Sequence, residues 1–192
     1  MVRHAEVYNP KDIVYGRLPR FGLSAKGRRQ AEAVARFLAE RPIAALYSSP
    51  LLRARQTARA IHAELPDVPL RRASRLLEVK TAYQGSPNAI LVPGFSFYEP
   101  LKHPDDETMA HVLDRMGGFV RAAASRHPGE SVAAVSHADP IAILRLGLEA
   151  RALTAQELHR VVYPERVSVN QIVLGPDHPP QLTYFDVGRG VV

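Results

Sequence analysis

The sequence predicts a single α/β domain. Three observations carry that reading. The chain has 192 residues, which at about 150 residues per domain fits one. Short apolar runs alternate with longer amphipathic ones, the pattern of strands followed by helices. Polar clusters stand directly after three of the apolar runs: Arg3-His4, Ser48-Ser49 with Arg53, and Ser136-His137. Hydrophobic residues make up 46% and charged residues 23%, enough apolar side chain for one sizeable core and unlike a disordered chain. There is no internal repeat and no low-complexity tract.

The elements follow in order. Val2 leads into Arg3-His4 as a short first strand. Ser24 to Glu40 reads as a helix: Ala31, Val34, Ala35 and Leu38 fall at helical spacing, Ser24 can cap, and Pro42 follows the end. Ala44 to Tyr47 is a short buried strand. Ser49-Pro50 then predicts a second helix to about Ala63, with Ser as N-cap and Pro in the first position. Val68 to Arg72 is another strand. Residues 82–104 hold four prolines, two glycines, Phe95, Phe97 and Tyr98. They read as a long ordered, lid-like excursion, since a loop of that length is usually functional or mobile. The three aromatics either cover a ligand or pack on the core. Glu107 to Arg126 returns to helix, Ser131 to Val135 is a strand, and Asp139-Pro140 leads a helix to about Ala150. Thr154 and Glu157 form a capping-box pattern for one more short helix. Val167 to Leu174 and Gln181 to Val187 close the list as strands.

The composition excludes several chemistries. Cysteine is absent, so disulfide scaffolds, thiol nucleophiles and thiolate metal sites are out. Net charge is +6, and of 25 basic residues 21 are Arg. These are spread along the chain near Asp or Glu, not gathered in the basic stripe that nucleic-acid binding would show. No apolar run approaches the roughly 18–20 residues of a membrane span, and the N-terminus lacks the apolar stretch of a signal peptide. A cytoplasmic protein is therefore expected. The eight histidines form neither H-x-H nor H-E-x-x-H, so no metal site is expected.

What remains points to an anion. In open α/β sheets ligands bind beyond the carboxyl ends of the strands, so the three polar clusters can converge. Two arginines make a clamp for phosphate oxygens. An imidazole beside them can attack phosphorus, and a second can donate to a phosphoryl oxygen as its charge grows. The N-terminus of the helix after Pro50 would add a positive dipole end.

At these residues the chain resembles the histidine phosphatase superfamily, which includes the cofactor-dependent phosphoglycerate mutases. Val2-Arg3-His4-Ala5-Glu6 is similar to the family's R-H-G-E signature. Leu23-Ser24-Ala25-Lys26-Gly27 with Gln30-Ala31 resembles L-T-x-x-G-x-x-Q-A. Ser48-Ser49-Pro50-Leu51-Leu52-Arg53-Ala54 with Gln56-Thr57-Ala58 resembles S-S-x-L-x-R-A-x-x-T-A. Leu77-Glu78 with Gln84-Gly85 looks like L-x-E…W-x-G, and Val135-Ser136-His137 like V-S-H-G. The five blocks occur in family order. The resemblance implies a three-layer α/β/α sandwich around a mostly parallel sheet, a single domain over residues 1–192, and no metal or other cofactor.

The resemblance also implies roles. His4 would be the nucleophile and form a phosphohistidine. Arg3, Arg53 and His137 would complete the phosphoryl pocket. Glu78 would protonate the leaving alkoxide and then activate water, which needs a raised carboxyl pKa, as a nearby phosphate dianion would give. The alternative for Glu78 is a surface carboxylate paired with Arg75. Asp139 is a rival acid, or else the cap of the helix after it. Asn9 is carried as a phosphate binder, or else makes a turn before Pro10. Ala5 and Ala138 stand where the family has Gly, and the aromatic before Gln-Gly is Tyr83, shifted by one. Only Met1-Val2 precede Arg3-His4 where the family has several apolar residues, so the first strand is very short or the recorded start lies inside it. The implied function is hydrolysis of a small phosphorylated metabolite, with no nucleic-acid or membrane partner. A mutase of a phosphorylated sugar acid and a noncatalytic phospho-ligand module are the alternatives. Substrate and oligomeric state are not specified.

Overall fold

Alternation along the inner strands sorts their side chains onto two faces. In β2 (Ile43–Ser48), Ala45 and Tyr47 enter one apolar cluster and Leu46 the other. In β4 (Ser131–Ser136), Ala134 joins the first and Ala133 and Val135 the second. Successive strand residues point to opposite faces, so a strand that is apolar throughout must be covered on both. The computed structural model, which describes residues 1–191, shows that cover. Helices α1 (Ala25–Ala39) and α2 (Leu52–Glu64) pack through Val34, Leu38 and Ile61 on the Leu46 face. Helices α3 (Met109–Arg126), α4 (Ala138–Leu148) and the short α5 (Ala155–Arg160) pack through Val112, Met116, Ile143 and Leu158 on the other. The fold is the expected three-layer α/β/α arrangement.

The sheet has six strands in the order β3-β2-β4-β1-β5-β6, with β1 at Val2–Arg3 and β3 at Leu70–Arg72. The first four in that order are parallel; β5 (Val169–Val173) and β6 (Gln181–Phe185) join antiparallel. Register decides where the site lies. Arg3 pairs with Ser136, and Ser48 with Val135. The residues that follow, His4, Ser49 and His137, therefore leave the sheet at one edge, beyond the carboxyl ends of its parallel strands.

Local chemistry explains most element ends. Ser24 caps α1 by accepting from the Gly27 amide at 2.9 Å. Thr108 caps α3 and Thr154 caps α5, each accepting from the amide three residues on. The capping box at α5 is only half made, because the Glu157 side chain turns to Arg151 and Arg160. One expectation fails. Helix α2 begins at Leu52 with Leu51 as N-cap and no side-chain cap; the Ser49 hydroxyl lies before it, accepting from the Leu51 amide at 3.4 Å and meeting His137 at 2.8 Å. Residues 82–104 carry a single 3-10 turn, Asn88–Ile90. They are held by the Ala82 amide on Asp106 and by the Val14 and Gly85 backbones. Tyr98 is buried in the core, while Tyr83, Phe95 and Phe97 make an edge-to-face group with ring centres 5.0–5.9 Å apart.

Candidate active site

The strand ends are knitted together before any side chain acts. The His4 amide donates to the Ser136 carbonyl at 3.0 Å, and the Ser49 amide to the Val135 carbonyl at 2.9 Å. The residues of the Leu23–Ala31 and Ser48–Ala58 blocks then hold the turn after β1. Gln30 accepts from the Glu6 amide at 2.9 Å, and Ser24 donates to the Glu6 carboxylate at 2.6 Å. A Cβ at Gly27 would stand 2.0 Å from the Glu6 carbonyl oxygen, so the helix can approach this close only with glycine there. Thr57, fully buried, accepts from the Ala5 amide at 3.1 Å and donates to the Arg53 carbonyl. Ala5 keeps an ordinary backbone angle, so its methyl group is accommodated.

Four of the expected residues meet at this edge. His4, Arg53 and His137 are buried, and Glu78 faces them from the loop after the 3-10 turn Ser74–Leu76. The His4 Nδ1 lies 2.7 Å from the Ala5 carbonyl, which can only accept, and its Nε2 lies 3.1 Å from the Arg53 Nε, which can only donate. These partners select one tautomer, with the proton on Nδ1 and the Nε2 lone pair facing the site. Burial, then the charges of Arg53, Arg3 and Arg166, hold the His4 pKa well below the usual imidazole range. The His4 and His137 rings are 5.1 Å apart. Burial and Arg53 likewise keep His137 from protonating. Its Nε2 meets the Ser49 hydroxyl, while its Nδ1 has no hydrogen-bond partner and lies 3.7 Å from the Glu78 Oε2. That same Oε2 is 3.8 Å from the Arg53 guanidinium. Burial raises the Glu78 pKa against the pull of Arg53, and Asp139 adds to the rise. Arg75 does not pair with Glu78. Instead the Ser136 hydroxyl and Arg115 grip the backbone of residues 75–77, and Arg17 donates to the Glu78 carbonyl at 2.6 Å. Glu107 bridges Arg17 and Arg115.

Asn9 makes a turn, its side-chain amide donating one N–H to the Ile13 carbonyl and accepting from the Ile13 amide. One expectation needs correction. Asp139 neither caps α4, which begins at Ala138 with His137 as N-cap, nor stands open as an acid. It is buried, and its two oxygens accept from the phenols of Tyr98 and Tyr163. Arg3 reaches the site edge with its Nε buried and unpartnered, its Nη1 on the Pro164 carbonyl, and Tyr163 beside its guanidinium. Sequence reasoning passed over Arg17, Glu107, Arg115 and Tyr163, and named Tyr98 only as a lid or core aromatic. Each acts through a contact across the chain that no local pattern signals. Tyr15, 4.7 Å from the Arg53 guanidinium, is another.

His4, Glu78 and His137 offer three donor atoms within 4.8 Å of one another, a spacing that would admit a cation. Arg53 and Arg3 act on both imidazoles, so the field at the centre suits an anion. Neutral imidazoles, guanidiniums and a carboxyl with raised pKa are a set able to bind a phosphoryl group, attack it and protonate what leaves.

Comparison with known proteins agrees with that chemistry. The model of the histidine phosphatase superfamily (branch 1) matches residues 1–186. An uncharacterized protein of Mycobacterium tuberculosis is 37% identical over 163 residues, which are 80% of this chain and 79% of that one. Phosphoserine phosphatase 1 of Hydrogenobacter thermophilus is 30% identical over 158 residues, 73% of this chain and 71% of that one. Among solved structures, mycobacterial glucosyl-3-phosphoglycerate phosphatase in complex with VO3 superposes with a TM-score of 0.81 at 26% identity, over 97% of this chain and 96% of that one.

Proposed function

The chain belongs to the histidine phosphatase superfamily, and on that premise we propose that it hydrolyses a small phosphomonoester through a phosphohistidine on His4. The single observation that carries this is the hydrogen-bonding of His4. A buried imidazole with its proton tied to the Ala5 carbonyl and its Nε2 lone pair turned to Arg53 is a preorganised nucleophile. In the first step the Nε2 lone pair attacks phosphorus and the ester P–O bond breaks. Glu78 gives its proton to the departing oxygen, so the alcohol leaves neutral. Arg53 keeps its Nε proton and turns that hydrogen bond from His4 to a phosphoryl oxygen as the P–N bond forms. In the second step water attacks phosphorus, its proton goes to the Glu78 carboxylate, and the P–N electron pair returns to Nε2. Inorganic phosphate leaves and the starting protonation is restored. Glu78 retains 19% side-chain exposure, which leaves water a path to it.

Hydrolysis of an aryl phosphate by wild type and His4→Ala tests the reading. The variant is expected to lose at least about 10^3-fold in kcat, the scale for removing a nucleophile. Equal rates in the two proteins would overturn the assignment. Wild type quenched in alkaline detergent is expected to carry an alkali-stable, acid-labile phosphate that His4→Ala lacks. Transfer to a phosphorylated sugar acid faster than phosphate release would instead mark a mutase.

A further inference from the structure

Residues 164–168 run alongside β1. The Arg3 amide donates to the Ser168 carbonyl at 3.2 Å, and the Val167 amide donates to the Arg3 carbonyl at 3.1 Å. Val167 holds φ at 55°, a left-handed angle that β-branched residues rarely adopt. This pairing sets Arg166 at the edge of the sheet where His4 emerges. The Arg166 Nη1 is buried and has no hydrogen-bond partner. No ion pair among the described residues neutralises its guanidinium. Its charge falls on His4 and on Arg53, and on Arg53 it outweighs that of Arg3.

Three guanidiniums thus gather around one imidazole with a single carboxyl, Glu78, facing them. Arg53 is buried and Arg3 and Arg166 are half-buried, and an anion between the three would offset their like charges. Arg3 Nε, His137 Nδ1 and Arg166 Nη1 are each buried without a hydrogen-bond partner, and the two guanidinium atoms are N–H groups from which a phosphoryl oxygen can accept. We propose that Arg166 is a third guanidinium ligand of the transferring phosphoryl group, beside Arg3 and Arg53. This rests on the phosphatase reading above. Its effect is to stabilise the charge that develops on the equatorial oxygens, whichever alcohol departs.

The test is Arg166→Met, with Arg160→Gln as a charge control from the exposed end of α5. Loss of one such donor is expected to lower kcat/KM about 100-fold, equally for p-nitrophenyl phosphate and phosphoserine, with the control unchanged. Arg166→Lys, which keeps the charge and loses the planar fork, should fall between. Inorganic phosphate should raise the Tm of wild type and not of Arg166→Met, while the Tm without phosphate stays level or rises. A loss confined to phosphoserine would assign Arg166 to the substrate carboxylate and overturn the proposal. So would a lowered Tm without phosphate together with an intact phosphate shift, the mark of a structural arginine. The thermal arm does not depend on turnover. If wild type and His4→Ala proved equally inactive, the phosphatase reading would fail while the phosphate shift still decided Arg166.

Discussion

The two sides of the site are built differently. On the α1–α2 side, the turn after β1 is held by side chains clamped onto backbone: Gln30 on Glu6, Thr57 on Ala5, Gly27 against the Glu6 carbonyl. On the opposite side, the 82–104 excursion and the segment after α5 meet through two phenols on one carboxylate, Asp139. Backbone clamps leave the nucleophile no alternative position. A side-chain clasp ties its two segments through single hydroxyl contacts on one carboxylate. On the proposed function, the first side would serve the chemistry and the second the organic group.

That assignment makes graded predictions. Glu78, between the two sides, should show the largest effect. Glu78→Gln is expected to lower kcat about 10^2- to 10^4-fold, the usual worth of a general acid, and to change the pH profile. The first step needs neutral His4 and protonated Glu78. The folded pKa of His4 is depressed, so the acid limb should lie below the ordinary imidazole range. That of Glu78 is raised, so the basic limb should lie above the ordinary carboxyl range. Glu78→Gln should abolish the basic limb and leave the acid limb; an unmoved basic limb would remove Glu78 from the role. Stability adds a sign check. A raised folded pKa means that burying Glu78 stabilises less as pH rises above its unfolded value. Glu78→Gln should therefore gain Tm relative to wild type at pH 8 and not at pH 4, as thermal melts would show.

A smaller effect is expected at Thr57. Thr57→Val keeps the shape but orphans the buried Ala5 amide, which costs about 1–3 kcal/mol. Urea unfolding should show that loss, and kcat should fall about tenfold with KM nearly constant, since the nucleophile's support is loosened. A change in KM alone would contradict the division of labour. The smallest effect on turnover belongs to the other side. Asp139→Asn weakens the anchor for Tyr98 and Tyr163 without touching His4. KM for an organic phosphate should rise several-fold, plateau kcat should change less than about twofold, and the basic limb should move to lower pH because the Asp139 charge no longer raises Glu78. A collapse of kcat in steady-state assays would place Asp139 in the reaction after all.

The helices and strands were largely legible because their signals are local. Ser24, Thr108 and Thr154 cap where short-range chemistry says they should, and apolar runs of period two or none became strands buried on one or both faces. The five motif blocks carried His4, Arg53, Glu78 and His137 to one edge, as the resemblance implied. Ser49 and Asp139 were read less well. Each has a local role available as a helix cap, and each is engaged by a distant partner: His137 for Ser49, Tyr98 and Tyr163 for Asp139.

By itself, then, the sequence determined the α/β class and the order of elements, which follow from periodicity, caps and residue types that act within a few positions, while the candidate site residues came from the motif blocks through the family resemblance. Only the tertiary structure decided the tautomer of His4, the clasp on Asp139 and the third guanidinium at Arg166. Those depend on the strand order β3-β2-β4-β1-β5-β6, which brings residues 3, 53, 78, 137 and 166 to one edge. A contact between groups so far apart in the chain exists only once the sheet has set their distance, and a hydrogen bond is decided by tenths of an ångström that no spacing in sequence encodes.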